Sequence, residues 1–253
     1  MSKQTEQGAE ETFISHLVEL RDRLVKAIYG LLIVCGLLMV WPGPSAIYDF
    51  IAQPMLASLP QGAKMIATGV ISPFLVPMKV TLLLAFMLAL PWILYQAWAF
   101  VAPGLYTHEK RLVAPLVISS TVLFFSGVAF CYFLVFGRVF HFINGFAPHS
   151  INVAPDVENY LDFVMSMCLA FGMTFEVPVV VVILVRMGLV SLEKLRAIRS
   201  YVVVGAFVIA AIVTPPDIAS QFSLAIPMCL LYELGLLVAP LFMRVTQAPE
   251  TEK

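Results

Sequence analysis

Leu161-Asp-Phe-Val-Met-Ser-Met-Cys-Leu-Ala-Phe-Gly-Met-Thr-Phe-Glu176-Val-Pro178-Val-Val-Val-Val-Ile-Leu-Val185 decides the fold class. About 20 apolar helical residues cross the roughly 30 Å of hydrocarbon in a bilayer, and this stretch is long enough to do so. A membrane β-barrel would alternate apolar and polar positions over about ten residues. Neither Leu161 to Phe175 nor Val179 to Leu184 alternates, so the stretch is helical. Pro178 lacks an amide donor and its ring crowds the preceding turn, so a kink is expected there. Such prolines are tolerated in membrane bundles because neighbouring helices satisfy the freed carbonyls.

Outward from this run the same pattern recurs at 25–40, 74–97 and 112–136 before it, and at 200–213 and 222–243 after it. Kinks are also expected at Pro91, Pro115 and Pro227. The chain of 253 residues is 60% hydrophobic and 12% charged with a mean hydropathy of +0.93, far from the composition of a soluble domain. The expectation is therefore an all-α integral membrane protein, a single membrane domain over 1–253 with six transmembrane helices forming a concave bundle and polar tails at 1–11 and 245–253. A formal charge of -1 gives no ground for a nucleic-acid partner. Cys35, Cys131, Cys168 and Cys229 sit in separate apolar runs without metal or redox spacing, and are expected to be buried thiols. The acidic start of the chain lacks the basic-then-apolar order of a cleaved leader, so the first span is expected to be retained.

Orientation follows from lysine and arginine, which are retained on the cytoplasmic side. Of the 15, only Lys64, Lys79 and Arg138 fall on one side of the six-span arrangement, leaving twelve on the other. Both termini of this multi-pass protein are therefore expected in the cytoplasm. The cytoplasmic face is net basic and the outer face net acidic.

Within that basic face a few carboxylates stand out. In Phe13-Ile-Ser-His16-Leu-Val-Glu19-Leu-Arg21-Asp-Arg23-Leu24, Phe13, Leu17, Leu20 and Leu24 share one helical face and His16, Glu19, Arg23 and Lys26 another. This is an amphipathic lead-in to the first span, in which the plainest role of Glu19 is an i,i+4 pair with Arg23. Glu109, beside Lys110 and Arg111 in the connection after Phe100-Val-Ala-Pro-Gly104, reads by pattern as a solvated loop charge. Glu176 and Glu233 lie deeper, where an ionisable group points to function by default. The plain alternative for Glu176 is a neutral acid hydrogen-bonded within the bundle.

These stretches together carry a resemblance. His16-Leu-Val-Glu-Leu-Arg-Asp-Arg23, Ser72-Pro-Phe74, Phe100-Val-Ala-Pro-Gly-Leu105 with Glu109-Lys110, Phe175-Glu-Val-Pro178 and Thr214-Pro-Pro-Asp217 resemble the TatC family, the multispanning receptors of the twin-arginine protein translocase. The resemblance runs from about Phe13 to Met243. It implies binding of twin-arginine signal peptides of folded export substrates, association with TatA- and TatB-like single-span proteins, self-association in a multi-copy receptor, and transport driven by the proton-motive force. Glu19 and Glu109 would meet the signal's arginines, with Phe100, Arg21 and Lys110 in the same site. Glu176 would be the polar residue within the membrane-facing concavity. Apart from the resemblance, Gln221 is expected as a second intramembrane polar residue, and Pro54, Pro215 and Asp217 are expected to mark periplasmic turns and a partner surface. Because the face around them is net basic, an Arg-Arg ligand must be captured by placed carboxylates rather than drawn by the overall field. Arginine's planar fork suits such capture better than lysine's point charge.

Two other classes fit less well. A secondary transporter predicts repeated halves with paired broken helices, and the halves show no similarity. An intramembrane enzyme needs a nucleophile and base or metal ligands at depth, whereas His16, His108, His141 and His149 lie at span ends or in loops. No nucleotide-binding loop or metalloprotease signature occurs, so neither enzyme activity nor a cofactor is expected. The fifth span has about 14 residues, reaching roughly 21 Å. It therefore falls short of the hydrocarbon core, and local thinning of the bilayer or entry of water at Asp217, Ser220 and Gln221 is expected, with Asp217 capping the sixth helix.

Overall fold

The structure, a computed structural model of the chain, describes the backbone of residues 2–56, 66–101, 113–139, 156–214 and 217–243, and the side chains of 15–52, 66–101, 113–139, 156–214 and 217–241. The helices are α1 (Ser2–Val40), α2 (Pro44–Leu56), α3 (Ser72–Val101), α4 (Val113–Phe130, prolonged by a π-helical turn Cys131–Val135), α5 (Val157–Phe175), α6 (Val177–Arg186), α7 (Leu192–Ala197), α8 (Arg199–Val213) and α9 (Ile218–Met243). Among the described residues, five stretches of 24 to 30 residues are long and apolar enough to cross a membrane: Ser15–Val40, Ser72–Val101, Val113–Val139, Val157–Arg186 and Ile218–Leu241. The sixth expected span is α8, a helix of 15 residues. Large apolar side chains stand exposed along them, Leu37 at 66%, Ile212 at 78% and Leu237 at 71% among others. In water this surface would drive aggregation; in lipid it is the correct face.

At Pro178 the proline expectation takes the form of a break in the helix. α5 and α6 are separated at Glu176, immediately before Val177-Pro178, with the Glu176 amide donating to the carbonyls of Met173 and Thr174. α3 and α9 instead run unbroken through Pro91 and Pro227, and Pro115 sits in the first turn of α4, where its missing donor costs no internal bond. The lead-in segment and the first span form one continuous helix. Of the cysteines, Cys131 and Cys168 are buried, while Cys35 and Cys229 are only partly so.

The chain divides into two compact units, Met1–Gln53 with Pro77–Thr121, and Pro54–Val76 with Val122–Lys253. In the first, α1 and α3 pair antiparallel in a regular register. The ring of His16 stacks on Phe100, Arg23 approaches Gln96, and the indole of Trp92 donates to the Lys26 carbonyl at 3.0 Å. Contacts thus step down α3 by four residues as they step up α1, which keeps one face of each helix in contact. Gly30 completes the ladder, because a Cβ there would overlap the Trp92 ring. Trp98 ties α3 to α4 through a 3.1 Å bond to the Ser120 hydroxyl. After α1, Gly43 adopts φ 92°, which L side chains disfavour, and donates back to Leu38. Pro44 then opens α2 at the position where its ring is preorganised for helix.

In the second unit, α6 and α9 pack around Val181, Val185, Tyr232, Leu236 and Ala239, with Leu195 of α7 in the same cluster. Lipid tails are as apolar as leucine, so close packing and buried hydrogen bonds must hold such helices together. Gly235 lets α9 approach Pro178 and Val181, and the Tyr232 hydroxyl donates to the Leu195 carbonyl at 2.8 Å. α4 and α5 cross on Gly127 and Gly172, opposite Phe171 and Phe124 respectively. The segment 66–72 is clipped to the start of α5. Asp156 caps that helix by accepting from the amides of Glu158 and Asn159, and it also accepts from the amide and hydroxyl of Thr68. The Thr68 hydroxyl, followed by these amides, holds the Asp156 carboxyl down at about 2, well below the usual carboxylate range. Glu158 accepts from the Ser72 hydroxyl beside it.

Candidate functional site

The paired face of α1 and α3 gathers polar groups that the sequence had placed only on one helix. His16, Glu19 and Arg23 lie one turn apart along α1, and Gln96 and Phe100 lie one turn apart on α3. Glu19 Oε1 accepts from Arg23 Nη2 at 3.3 Å. The other terminal nitrogen, Nη1, points to Gln96 Oε1 at 3.5 Å, the outer limit of a hydrogen bond. Glu19 and Arg23 are half-buried, at 34% and 27% side-chain exposure, and Gln96 is buried at 3%. His16 and Phe100 stack with ring centroids 4.4 Å apart and 23° between planes.

The amphipathic lead-in is thus inverted relative to a soluble helix. Its leucine face is outward, with Leu17, Leu20 and Leu24 at 48%, 42% and 58% exposure, and its polar face meets α3. A carboxylate, an amide oxygen and an aromatic ring on one face form a surface that accepts hydrogen bonds and stacks planar groups. Those are the requirements of a guanidinium.

Arg21 is turned onto Asp22, with Nε and Nη2 at 3.0 and 2.8 Å from Oδ1, both side chains exposed. Glu109, Lys110 and Pro215 lie outside the described residues, and Pro54 is described only as backbone within α2. Glu176 sits at the α5–α6 break with 9% exposure, enclosed by protein rather than facing lipid or open water. The sequence placed Glu233 at depth, but it meets Arg199, the first residue of α8, at 2.9 Å. That ion pair accounts for its charge. Asp217 caps α9 as expected, accepting from the Ser220 amide at 2.7 Å, and the Gln221 amide donates to its carbonyl at 3.2 Å. Just before the turn, Thr214 becomes extended, and its hydroxyl returns to the Ala210 carbonyl at 2.8 Å. Phe207 and Phe222 meet edge to face beneath, which joins α8 to α9.

Gln96 escaped the sequence reading because it lies in an apolar run. The available signal was its spacing, four residues before Phe100 on a span that carries only one charge, Lys79. Asp156-Val-Glu158 ahead of an apolar run is a cap pattern and was the available signal for Asp156.

The TatC family, described as Sec-independent protein translocase protein, matches residues 15–227. A Sec-independent protein translocase protein TatC of Halothiobacillus neapolitanus is 48% identical over 240 residues, covering 95% of this chain and 65% of that relative. The chain therefore spans slightly less than two thirds of that longer protein. The TatC proteins of Haemophilus influenzae and Escherichia coli K12 are 47% and 48% identical, covering 90% and 89% of this chain and 89% and 86% of their own lengths. A crystal structure of the twin arginine translocase receptor TatC superposes with a TM-score of 0.79 at 37% identity, covering 90% of this chain and 100% of that one. Similarity of this extent, spread over nearly all of the spans, establishes that the chain belongs to the TatC family of Sec-independent protein translocase proteins.

Proposed function

We propose that this chain is a signal-peptide receptor and scaffold of a twin-arginine translocase rather than an enzyme, binding Arg-Arg signals at the cytoplasmic face through Glu19 on α1 and Glu109 after α3. The observation that carries the proposal is that Glu19 sits on a packed helix face where a guanidinium is already accommodated, bracketed by Gln96 and flanked by the His16–Phe100 stack. A receptor for two arginines needs such acceptors fixed on rigid elements, and the α1–α3 ladder supplies the rigidity. The likeness to a solved twin arginine translocase receptor supports the same reading. Phe100 contributes a stacking surface. Arg21 and Lys110 keep the surrounding face basic, so that only a ligand able to hydrogen-bond the carboxylates is retained.

The wider assignment follows from the family and the charge distribution. The chain lies in the bacterial cytoplasmic membrane with both termini inside, and TatA- and TatB-like single-span proteins and further copies of itself are its partners. The turn carrying Pro215 and Asp217, with Gln221 below it and Pro54 on α2, forms the outer partner surface. Glu176, at the break between α5 and α6, serves transport within the membrane, which the proton-motive force drives. Binding of a labelled twin-arginine peptide to the purified protein tests the central claim. Glu19→Ala should weaken it by about 1.5 to 3 kcal/mol, the scale of a charge-assisted hydrogen bond. A smaller loss is expected for a Lys-Lys peptide; equal losses for both would remove the bidentate argument.

A further inference from the structure

Glu19 is already engaged by an arginine of its own chain. Arg23 Nη2 donates to Glu19 Oε1 at 3.3 Å, while Arg23 Nη1 is directed at the buried Gln96 across the helix pair. An i,i+4 pair on an open helix face is loose and fluctuating. Here the two side chains are 27% and 34% exposed and a second helix brackets the guanidinium, so the pair is preorganised. If a signal arginine is to use Glu19, as the reading above requires, it arrives at a carboxylate that already holds the same chemical group. Two guanidinium cations on one partly desolvated carboxylate repel each other, and only one keeps good geometry.

We infer that Arg23 is an internal competitor for Glu19, so that signal-peptide binding is an exchange in which the ligand's guanidinium replaces that of Arg23. This rests on the receptor reading and adds a specificity-determining residue to it. The fraction of protein with Glu19 released scales the apparent affinity of every ligand by the same factor. Arg23 therefore sets a threshold rather than a preference. A peptide with two well-placed arginines clears it, whereas one offering a lone cation or lysine point charges falls below the affinity at which transport begins. Gln96 gives the displaced guanidinium somewhere to remain, which keeps the exchange reversible.

The test uses full-length protein in lipid nanodiscs, with a fluorescent Arg-Arg peptide and its Lys-Lys analogue. Arg23→Gln should tighten both by the same factor, roughly two- to fivefold, the range of a partly exposed ion pair. In a Glu19→Gln background the same change should do nothing, because there is no carboxylate left to compete for. Tightening that persists in that background means simple charge repulsion and overturns the competitor. Weaker or unchanged binding in Arg23→Gln, while Glu19→Ala still impairs binding, also overturns it and leaves the receptor reading intact. If Glu19→Ala has no effect, the receptor reading itself fails. Should Arg23→Gln not yield folded protein, Arg23→Lys should give a smaller tightening with the charge retained, and its absence counts against the inference.

Discussion

Gly127→Ala is the sharpest test of how the α4–α5 crossing is held. A Cβ at Gly127 would lie 2.5 Å from the Phe171 carbonyl oxygen, 3.0 Å from the carbon of that carbonyl and 2.9 Å from the Phe175 ring. Two of those atoms are backbone, so no rotamer change relieves the overlap. The helices must separate by about 1 Å to restore ordinary contact near 3.5 Å. Separation loosens the aromatic seam as well, where Phe130 lies 5.8 and 5.6 Å from Phe171 and Phe175. Overpacking of this kind costs about 1 to 3 kcal/mol and occasionally more. Alanine recovers up to about 1 kcal/mol of helix propensity. The net expectation is a loss of about 1 to 2 kcal/mol, read as a shift in the unfolding midpoint of the purified protein in mixed micelles. Gly36→Ala and Gly205→Ala are the controls, because nothing lies within 4 Å of a Cβ at either. They should be neutral or slightly stabilising. If Gly127→Ala unfolds at the same midpoint as these, the close crossing is not what holds α4 to α5.

Three further outcomes are expected. The Asp156 carboxyl titrates at about 2 in the folded chain, against an ordinary value of 3.8. Its contribution is therefore complete above about 4 and lost as the pH falls toward 2, and Asp156→Asn should remove that part of the acid dependence seen in hydrogen exchange at 66–72. Glu176→Leu should leave the receptor assembled but impair export; full activity would make the buried acid a structural feature only. Membrane-impermeant thiol reagents on intact cells should modify cysteines placed at 64 and 149, and labelling at 109 or 194 instead would reverse the orientation.

The six apolar runs were legible because the property that defines a span in the sequence is the one the bilayer requires. The α5–α6 break was legible too, since Pro178 follows Glu176 so closely. Pro91 and Pro227 lie inside helices that continue through them, because a single missing donor does not end a helix whose flanks are held by packing. α2 and α7 were invisible to a search for long runs, being set by local signals such as Gly43-Pro44 and the Ser191 cap on the Lys194 amide. At the site, the Glu19–Arg23 pair followed from helical spacing alone. Its partner Gln96 did not, because helix register is a tertiary property and nothing in one helix's sequence says which residue of another lies opposite. The cation paired with Glu233 was hidden for the same reason, lying 34 positions earlier at Arg199.

The 15-residue α8 has a consequence for the lipid rather than the protein. At about 1.5 Å per residue it measures about 22 Å, roughly 8 Å less than the hydrocarbon around it, whereas Ser72–Val101 and Val157–Arg186 are each 30 residues long. These helical stretches of one chain therefore differ in length by up to a factor of two. Where α8 spans the bilayer, as the six-span arrangement requires, accommodating the short side costs a fraction of a kcal/mol per Å of mismatch, and elastic strain on the order of a few kcal/mol would be stored in the membrane beside it. Acyl-chain length then becomes a thermodynamic variable of the protein, much as temperature is for a soluble one. Longer chains raise the strain and favour anything that covers α8, while shorter chains release it.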